Sequence, residues 1–219
     1  MKHTKHNSSL RNRSNLKEAI RKDLVVLIFS LIFLTLFCIT FVLINDGFFH
    51  KTDELVNSYF STPSNTFFTN LSLILSFVFD PLSIIVISSI IFIFLFSHRF
   101  KRDSLFFLAV SLLGGILILG FKEIFRIIRP DNLYESGFSF PSGHATISII
   151  LFCSLVYFLF KHSKSNYKYL ISILVFFFVI LLDFSRLYLG VHWFSDIIGG
   201  VFLGAFLFLF AVYFFEKIE

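Results

Sequence analysis

The sequence predicts an all-α fold: a polytopic integral membrane protein with six transmembrane helices in one bundle. Composition is the first reason. Of 219 residues, 56% are hydrophobic and only 15% charged, and the mean hydropathy is +0.84. A soluble domain carries about 25% charged residues and needs far more polar surface than this chain holds. Patterning is the second reason. The apolar residues gather into runs long enough to cross a bilayer, which takes about 20 residues, and the charges sit in short clusters between them. A net charge of +5 therefore reads as a topology signal and not as a nucleic-acid stripe. Disorder is excluded outside the N-terminus. Cys38 and Cys153 both lie inside apolar runs, as small lipid- or bundle-facing residues and not as a disulfide or metal ligands.

Residues 1–23 form a basic arm rich in Lys, Arg, Asn and Ser, expected to be disordered or to lie on anionic headgroups. Residues 24–219 form the membrane domain. Its first run, 24–44, carries no charge. It exceeds a signal-peptide core and lacks a small-x-small site after Ile44, so it is expected to stay as an anchor. The connection 45–79 holds Pro63 and Asn65, and its second half, 67–79, is expected to be an interfacial helix leading into span two. Asp80 before Pro81 reads as an N-cap with proline at N1, opening span two at 81–97. Spans three to six are placed at 104–121, 145–160, 169–182 and 193–215. Gly199, Gly200 and Gly204 suggest close helix packing in the last of these.

Orientation follows from lysine and arginine. Of the 19, fourteen fall in the arm, in the second-to-third and fourth-to-fifth loops, and at Lys217. The opposite side holds only Lys51, Lys122, Arg126, Arg129 and Arg186. The basic side, with both termini, is expected to be cytoplasmic. The loops after spans three and five then face the extracytoplasmic side of a plasma (inner) membrane.

Those two loops collect the costly polar residues, and such residues near a membrane point to function. Lys122, Arg126 and Arg129 stand at i, i+4 and i+7, so a continuing helix would set all three on one face until Pro130 ends it. Basic residues near a span end usually snorkel to headgroups. These three run against the charge bias, which makes them candidate anion ligands. Ser142, Gly143 and His144 open span four. Ser142 suits an N-cap, Gly143 lets a bound group approach the backbone, and helix-terminal N–H groups suit a phosphate. By itself the segment reads first as an ordinary capping turn with a stray histidine. Ser185 and Arg186 close span five, and His192 and Asp196 stand one turn apart at the start of span six. A carboxylate there can fix the imidazole tautomer and leave the other nitrogen as nucleophile or base. In isolation an interfacial histidine paired with an aspartate fits as well. Gly190 breaks the chain between the two helices, and Tyr188 and Trp193 suit the headgroup level.

Taken together, Lys122-x6-Arg129-Pro130, Pro141-Ser142-Gly143-His144 and Ser185-Arg186-x5-His192-x3-Asp196 resemble the signature of the type 2 phosphatidic acid phosphatase family. The same superfamily includes soluble vanadium haloperoxidases, against which six spans argue. Eleven positions are specified and all are matched, a coincidence of about 10⁻¹⁴ at roughly 5% per residue type before spacing freedom. The resemblance implies a metal-independent phosphohydrolase with no cofactor, acting on an amphipathic lipid phosphate held in the bilayer. Lys122, Arg129 and Arg186 would clamp the phosphate, with Ser142 and the Gly143 backbone completing the cradle. His192 would attack phosphorus to give a phosphohistidine, Asp196 would hold its tautomer, and His144 would protonate the leaving oxygen. Arg126 lies outside the signature and is a candidate for the second phosphate of a diphosphate.

Undecaprenyl diphosphate, phosphatidylglycerol phosphate and phosphatidic acid are candidate substrates, with a lean to the first. A lipid phosphotransferase could use the same site, and a non-catalytic lipid-binding or transport protein would leave the His192–Asp196 pair unexplained. Asp183 is expected to aim Arg186 and offset its charge, Asp80 to be only a cap, and Glu135 to be solvated. His3, His6, His50, His98 and His162 read as surface residues.

Overall fold

A computed structural model of the protein describes residues 2–60, 65–130 and 136–217. Pro63 and Glu135, for which the sequence raises expectations, lie outside them. The described residues form eight helices: α1 (Lys2–Asn45), α2 (His50–Phe60), α3 (Thr66–Val78), α4 (Pro81–Ser97), α5 (Lys101–Phe125), α6 (Gly143–His162), α7 (Tyr167–Tyr188) and α8 (Phe194–Lys217). Five segments are long and apolar enough to cross a membrane: Ile20–Asn45 of α1, then α5, α6, α7 and α8. Span two, expected at 81–97, corresponds to α4, which reaches the length and hydropathy of a span only when taken together with α3, bent from it by 58°. The bend is made by Asp80, whose carboxylate accepts from the Leu82 amide at 2.6 Å and the Ser83 amide at 3.0 Å, with Pro81 at the first helical position. α4 has 17 residues, about 25 Å at about 1.5 Å per residue, short of a hydrocarbon core of about 30 Å.

Two departures concern local order. The arm is not an irregular segment: its backbone continues α1 as helix back to Lys2, because Lys, Glu, Arg, Leu and Ala extend a helix once a long apolar segment has nucleated it. The first half of the 45–79 connection also contains a helix, α2, that hydropathy does not announce.

α8 is the central element, packing on α1, α5 and α6. Its glycines set the distance to α6. A Cβ at Gly200 would lie 2.7 Å from the Ser142 carbonyl oxygen, and one at Gly204 would lie 2.6 Å from that of Thr146. Neither position admits a side chain at this separation, which is the close packing that the glycines suggest. Beside them Phe140 is fully buried, its ring stacked on Phe37 at 5.6 Å and near Phe41 and Phe125. This aromatic cluster seats the turn that opens α6.

The opposite end of the bundle is tied separately. Asp103, buried at the start of α5, accepts from Lys161 at 2.8 Å and bonds His162 at the end of α6. His162 is thus a surface residue with a structural partner. His50 and His98 are exposed, His50 with Glu54 at 3.3 Å.

Candidate active site

Four helix ends converge at the far end of the bundle: those that finish α5 and α7 and those that open α6 and α8. Lys122, in the last turn of α5, donates from Nζ to the Phe138 carbonyl at 2.8 Å. The helix then stops. Arg126 adopts a left-handed conformation with φ of 52° as the C-cap, so the expected helix through Arg129 does not form. The chain instead pairs Ile128 with Phe138 in an isolated antiparallel bridge, and the Ser139 amide donates to the Ile127 carbonyl at 2.8 Å. Arg126 is consequently not on a face with Lys122 and Arg129. It is exposed, donates from Nε to the Glu123 carbonyl at 3.0 Å and lies over the Phe138 ring. Arg129, freed from the helical path, turns inward and is buried.

Arg129 Nη1 donates to the Val191 carbonyl at 2.6 Å and stands 3.3 Å from His192 Nε2. On the opposing side, Arg186 in the last turn of α7 is fully buried. Its Nη1 lies 2.8 Å from Ser76 Oγ and 3.1 Å from His144 Nε2. A guanidinium only donates, so both imidazole Nε2 atoms act as acceptors here. The proton of neutral His192 is therefore on Nδ1, which faces Asp196 Oδ2 at 3.4 Å. Asp196 is fully buried and held at both oxygens: Oδ2 accepts from the Trp193 amide at 2.8 Å and Oδ1 from Ser139 Oγ at 3.2 Å. Burial, then the charges of Arg129 and Lys122, hold the His192 imidazole well below its ordinary pKa of 6.5. It is neutral, with the Nε2 lone pair aimed at the cations.

Ser142 caps α6, accepting from the Ala145 amide at 3.4 Å, and its own amide donates to the Asp196 carbonyl at 3.1 Å. A Cβ at Gly143 would make only an ordinary contact, 3.5 Å from Ile118. The protein's own packing does not demand glycine there. His144 follows in the first turn of α6, partly exposed. The structure thus brings together Lys122, Arg129, Ser142, Gly143, His144, Arg186, His192 and Asp196, and leaves Arg126 aside.

Asp183 is buried one turn before Arg186 and feels its charge. Its Oδ1 has no hydrogen-bond partner among the described residues, whereas Arg186 Nη1 is held by Ser76 and His144. Tyr188 is buried, with its hydroxyl donating to the Asn65 carbonyl at 3.1 Å. Trp193 Nε1 donates to the Ile128 carbonyl at 2.7 Å, tying the α8 entry to the bridge.

Three supporting residues were not singled out from sequence. Ser139 lies inside the turn motif, where a second serine next to the cap was the available signal. Ser76 belongs to a stripe with Asn65, Thr69 and Ser72 at spacings of three and four, the polar face of an otherwise apolar α3. Asp53 gives no signal, because α2 itself is not announced.

A helical bundle with five to six candidate membrane spans, which gathers three cations, two histidines and an aspartate at one end, defines a membrane protein with a site suited to an anion. Residues 103–219 match the model of the PAP2 superfamily, and the chain belongs to that family, as the motifs imply. It is similar to phosphatidylglycerophosphatase B of Bacillus subtilis (strain 168), 37% identical over 130 residues, or 57% of this chain and 64% of that protein. It is also similar to lipid A 4'-phosphatase of Porphyromonas gingivalis, 32% identical over 155 residues, or 60% of this chain and 62% of that protein. The chain thus spans a little under two thirds of each of these curated relatives. Among solved structures it resembles the transmembrane PAP2-type phosphatidylglycerolphosphate phosphatase of Bacillus subtilis, with a TM-score of 0.79 and 28% identity, covering 87% of this chain and 97% of that one.

Proposed function

We propose that this protein is a lipid phosphatase that hydrolyses the phosphate of an amphipathic membrane lipid through a phosphohistidine on His192, without a metal ion. The observation that carries the reading is the placement of each histidine's Nε2 against a different arginine of the site. His192 Nε2 sits against Arg129, and His144 Nε2 against Arg186. A phosphoryl group between them meets a nucleophile on one side and a proton source on the other.

In this reading a phosphate oxygen displaces the Arg129 hydrogen bond and frees the His192 lone pair. His192 Nε2 bonds phosphorus as the bond to the lipid oxygen breaks. Phosphate binding likewise draws Arg186 off His144 Nε2, which takes up a proton beside the phosphate charge and gives it to the leaving lipid oxygen, while Asp196 steadies the charge that grows on His192. Water then returns a proton to His144 as its oxygen attacks phosphorus and the bond to His192 Nε2 breaks, which releases phosphate and restores His192. Lys122, Arg129 and Arg186 neutralise the equatorial oxygens, which is where charge stabilisation matters most in phosphoryl transfer.

The phosphate is expected to be that of a monoester. Arg126, the only candidate for a second phosphate, faces away from the cradle. The relatives are named phosphatidylglycerophosphatase and lipid A 4'-phosphatase, which supports a lipid phosphomonoester. This moves the choice from undecaprenyl diphosphate toward phosphatidylglycerol phosphate or phosphatidic acid.

The test is phosphate release by detergent-purified protein from those three lipids in the presence of EDTA. Release should persist with the chelator, stop with vanadate and favour the monoesters. Acid quenching should trap a phosphoenzyme that His192→Ala cannot form. Activity that needs magnesium, or phosphate trapped on His144, would overturn the mechanism. Transfer to a second lipid without free phosphate would make the protein a phosphotransferase.

A further inference from the structure

We propose that Asp53 is a positioning residue for the reaction: from α2 it caps the first turn of α8 and so sets the geometry of the His192–Asp196 pair. The proposal rests on the reading of His192 as nucleophile and Asp196 as its support.

The local problem is the start of α8. The first N–H groups of a helix have no partner within it, and a Ser, Thr, Asp or Asn at the N-cap usually accepts from the second or third of them. α8 begins at Phe194, so the cap position is Trp193, whose side chain has no acceptor. Asp196, at the third helical position, reaches back to the Trp193 amide at 2.8 Å. That is one half of a capping box. The other half is missing from the local sequence.

Asp53 provides it from 142 residues away. Its Oδ1 accepts from the Ser195 amide at 2.9 Å and its Oδ2 from Ser195 Oγ at 2.7 Å. Asp53 and Ser195 are both buried, with 8% and 1% exposure. A carboxylate is rarely buried without such bonds, and the helix N-terminus favours its charge. Two bonds to one residue fix the rotation of the first turn as well as its position. The next residue is Asp196, whose Oδ2 must serve the Trp193 amide and His192 Nδ1 together.

Without Asp53, the Ser195 amide has no acceptor within its own helix, and the first turn of α8 loses the bonds that fix its rotation. A shift of that turn carries Asp196 with it and weakens its hold on His192. Asp53 lies outside residues 103–219, which the family model matches, and α2 touches both α7 and α8.

The experiment is a double-mutant cycle on the kcat of phosphate release. Asp53→Ala should lower kcat about tenfold and KM by less than about twofold. In an Asp196→Asn background the same substitution should cost less than about twofold, because the group it positions is already impaired. Asp53→Asn, which can accept from the amide and donate to Ser195 Oγ, should recover activity to within about threefold of wild type. Ser195→Ala removes one bond without disturbing α2, and it should show the same non-additivity with Asp196→Asn even where Asp53→Ala yields no folded protein. Equal factors in both backgrounds would mean a merely structural role and overturn the proposal, as would an unchanged kcat. Wild-type protein that releases no phosphate from any lipid would instead refute the phosphatase reading.

Discussion

His192 is neutral because the protein surrounds it with everything that opposes its charge: burial first, then Arg129 and Lys122. The consequence reaches stability. In the unfolded chain the imidazole binds a proton below about pH 6.5, whereas in the folded protein it resists protonation to a much lower pH. Below pH 6.5 the unfolded state therefore holds more protons, and stability falls as pH falls, by up to about 1.4 kcal/mol per pH unit for one group. Above pH 6.5 His192 contributes no slope. Thermal midpoints in detergent should drop below about pH 6.5 in wild type and drop less in His192→Gln. Parallel curves for the two proteins would show that the histidine is not held neutral. The residue types of this site are legible in sequence because they fall in three short motifs at fixed spacing. The supports are not. Ser139 and Ser76 bond Asp196 and Arg186 from other segments, and no local pattern specifies such pairs.

Helix ends decide which of those residues meet. The apolar periodicity around Lys122 continues through Ile127 and Ile128, and no glycine or proline interrupts it before Pro130. Local preference therefore extends α5 to Arg129. Tertiary contacts override it: the bridge to Phe138 and the bond from Arg129 to the Val191 carbonyl need a chain that has left the helix. The membrane spans were legible because twenty apolar residues have few alternatives in a chain of this composition. α2 was not, since its sequence is mixed and it buries Asp53. The α6–α8 contact offers a test at this scale. At Gly200 an added Cβ would meet the Ser142 carbonyl at 2.7 Å and Ala145 Cβ at 2.8 Å. Neither neighbour is a flexible side-chain end, so Gly200→Ala must separate α8 from the cradle turn. It should cost about 1–3 kcal/mol and lower activity in the protein that still folds. Gly115→Ala meets nothing within 4 Å and should be neutral or stabilise by about 0.5–1 kcal/mol. Equal thermal midpoints for the two variants would remove the close-packing account.

At the scale of the molecule the bundle has two unlike ends. One carries the Asp103 cluster, where α5 begins and α6 finishes. The other carries the cradle, where α5 finishes and α6 begins. α5 has 25 residues, so the ends lie about 37 Å apart at about 1.5 Å per residue, enough to set them on opposite faces of a bilayer. The charge bias predicts their orientation. Fourteen lysines and arginines belong to the Asp103 end or the arm, against five at the cradle end, and three of those five are bound up in the site. A protein obeying this bias places the cradle outside the cytoplasm. Exposed serines report on both ends: Ser136, ahead of the cradle turn, and Ser165, between α6 and α7. With Cys38 and Cys153 replaced by serine, Ser136→Cys should react with a membrane-impermeant thiol reagent on intact cells. Ser165→Cys should react only after permeabilisation. The reverse pattern would put the cradle in the cytoplasm and remove the three site cations from the list of exceptions. Their placement would then need no functional explanation.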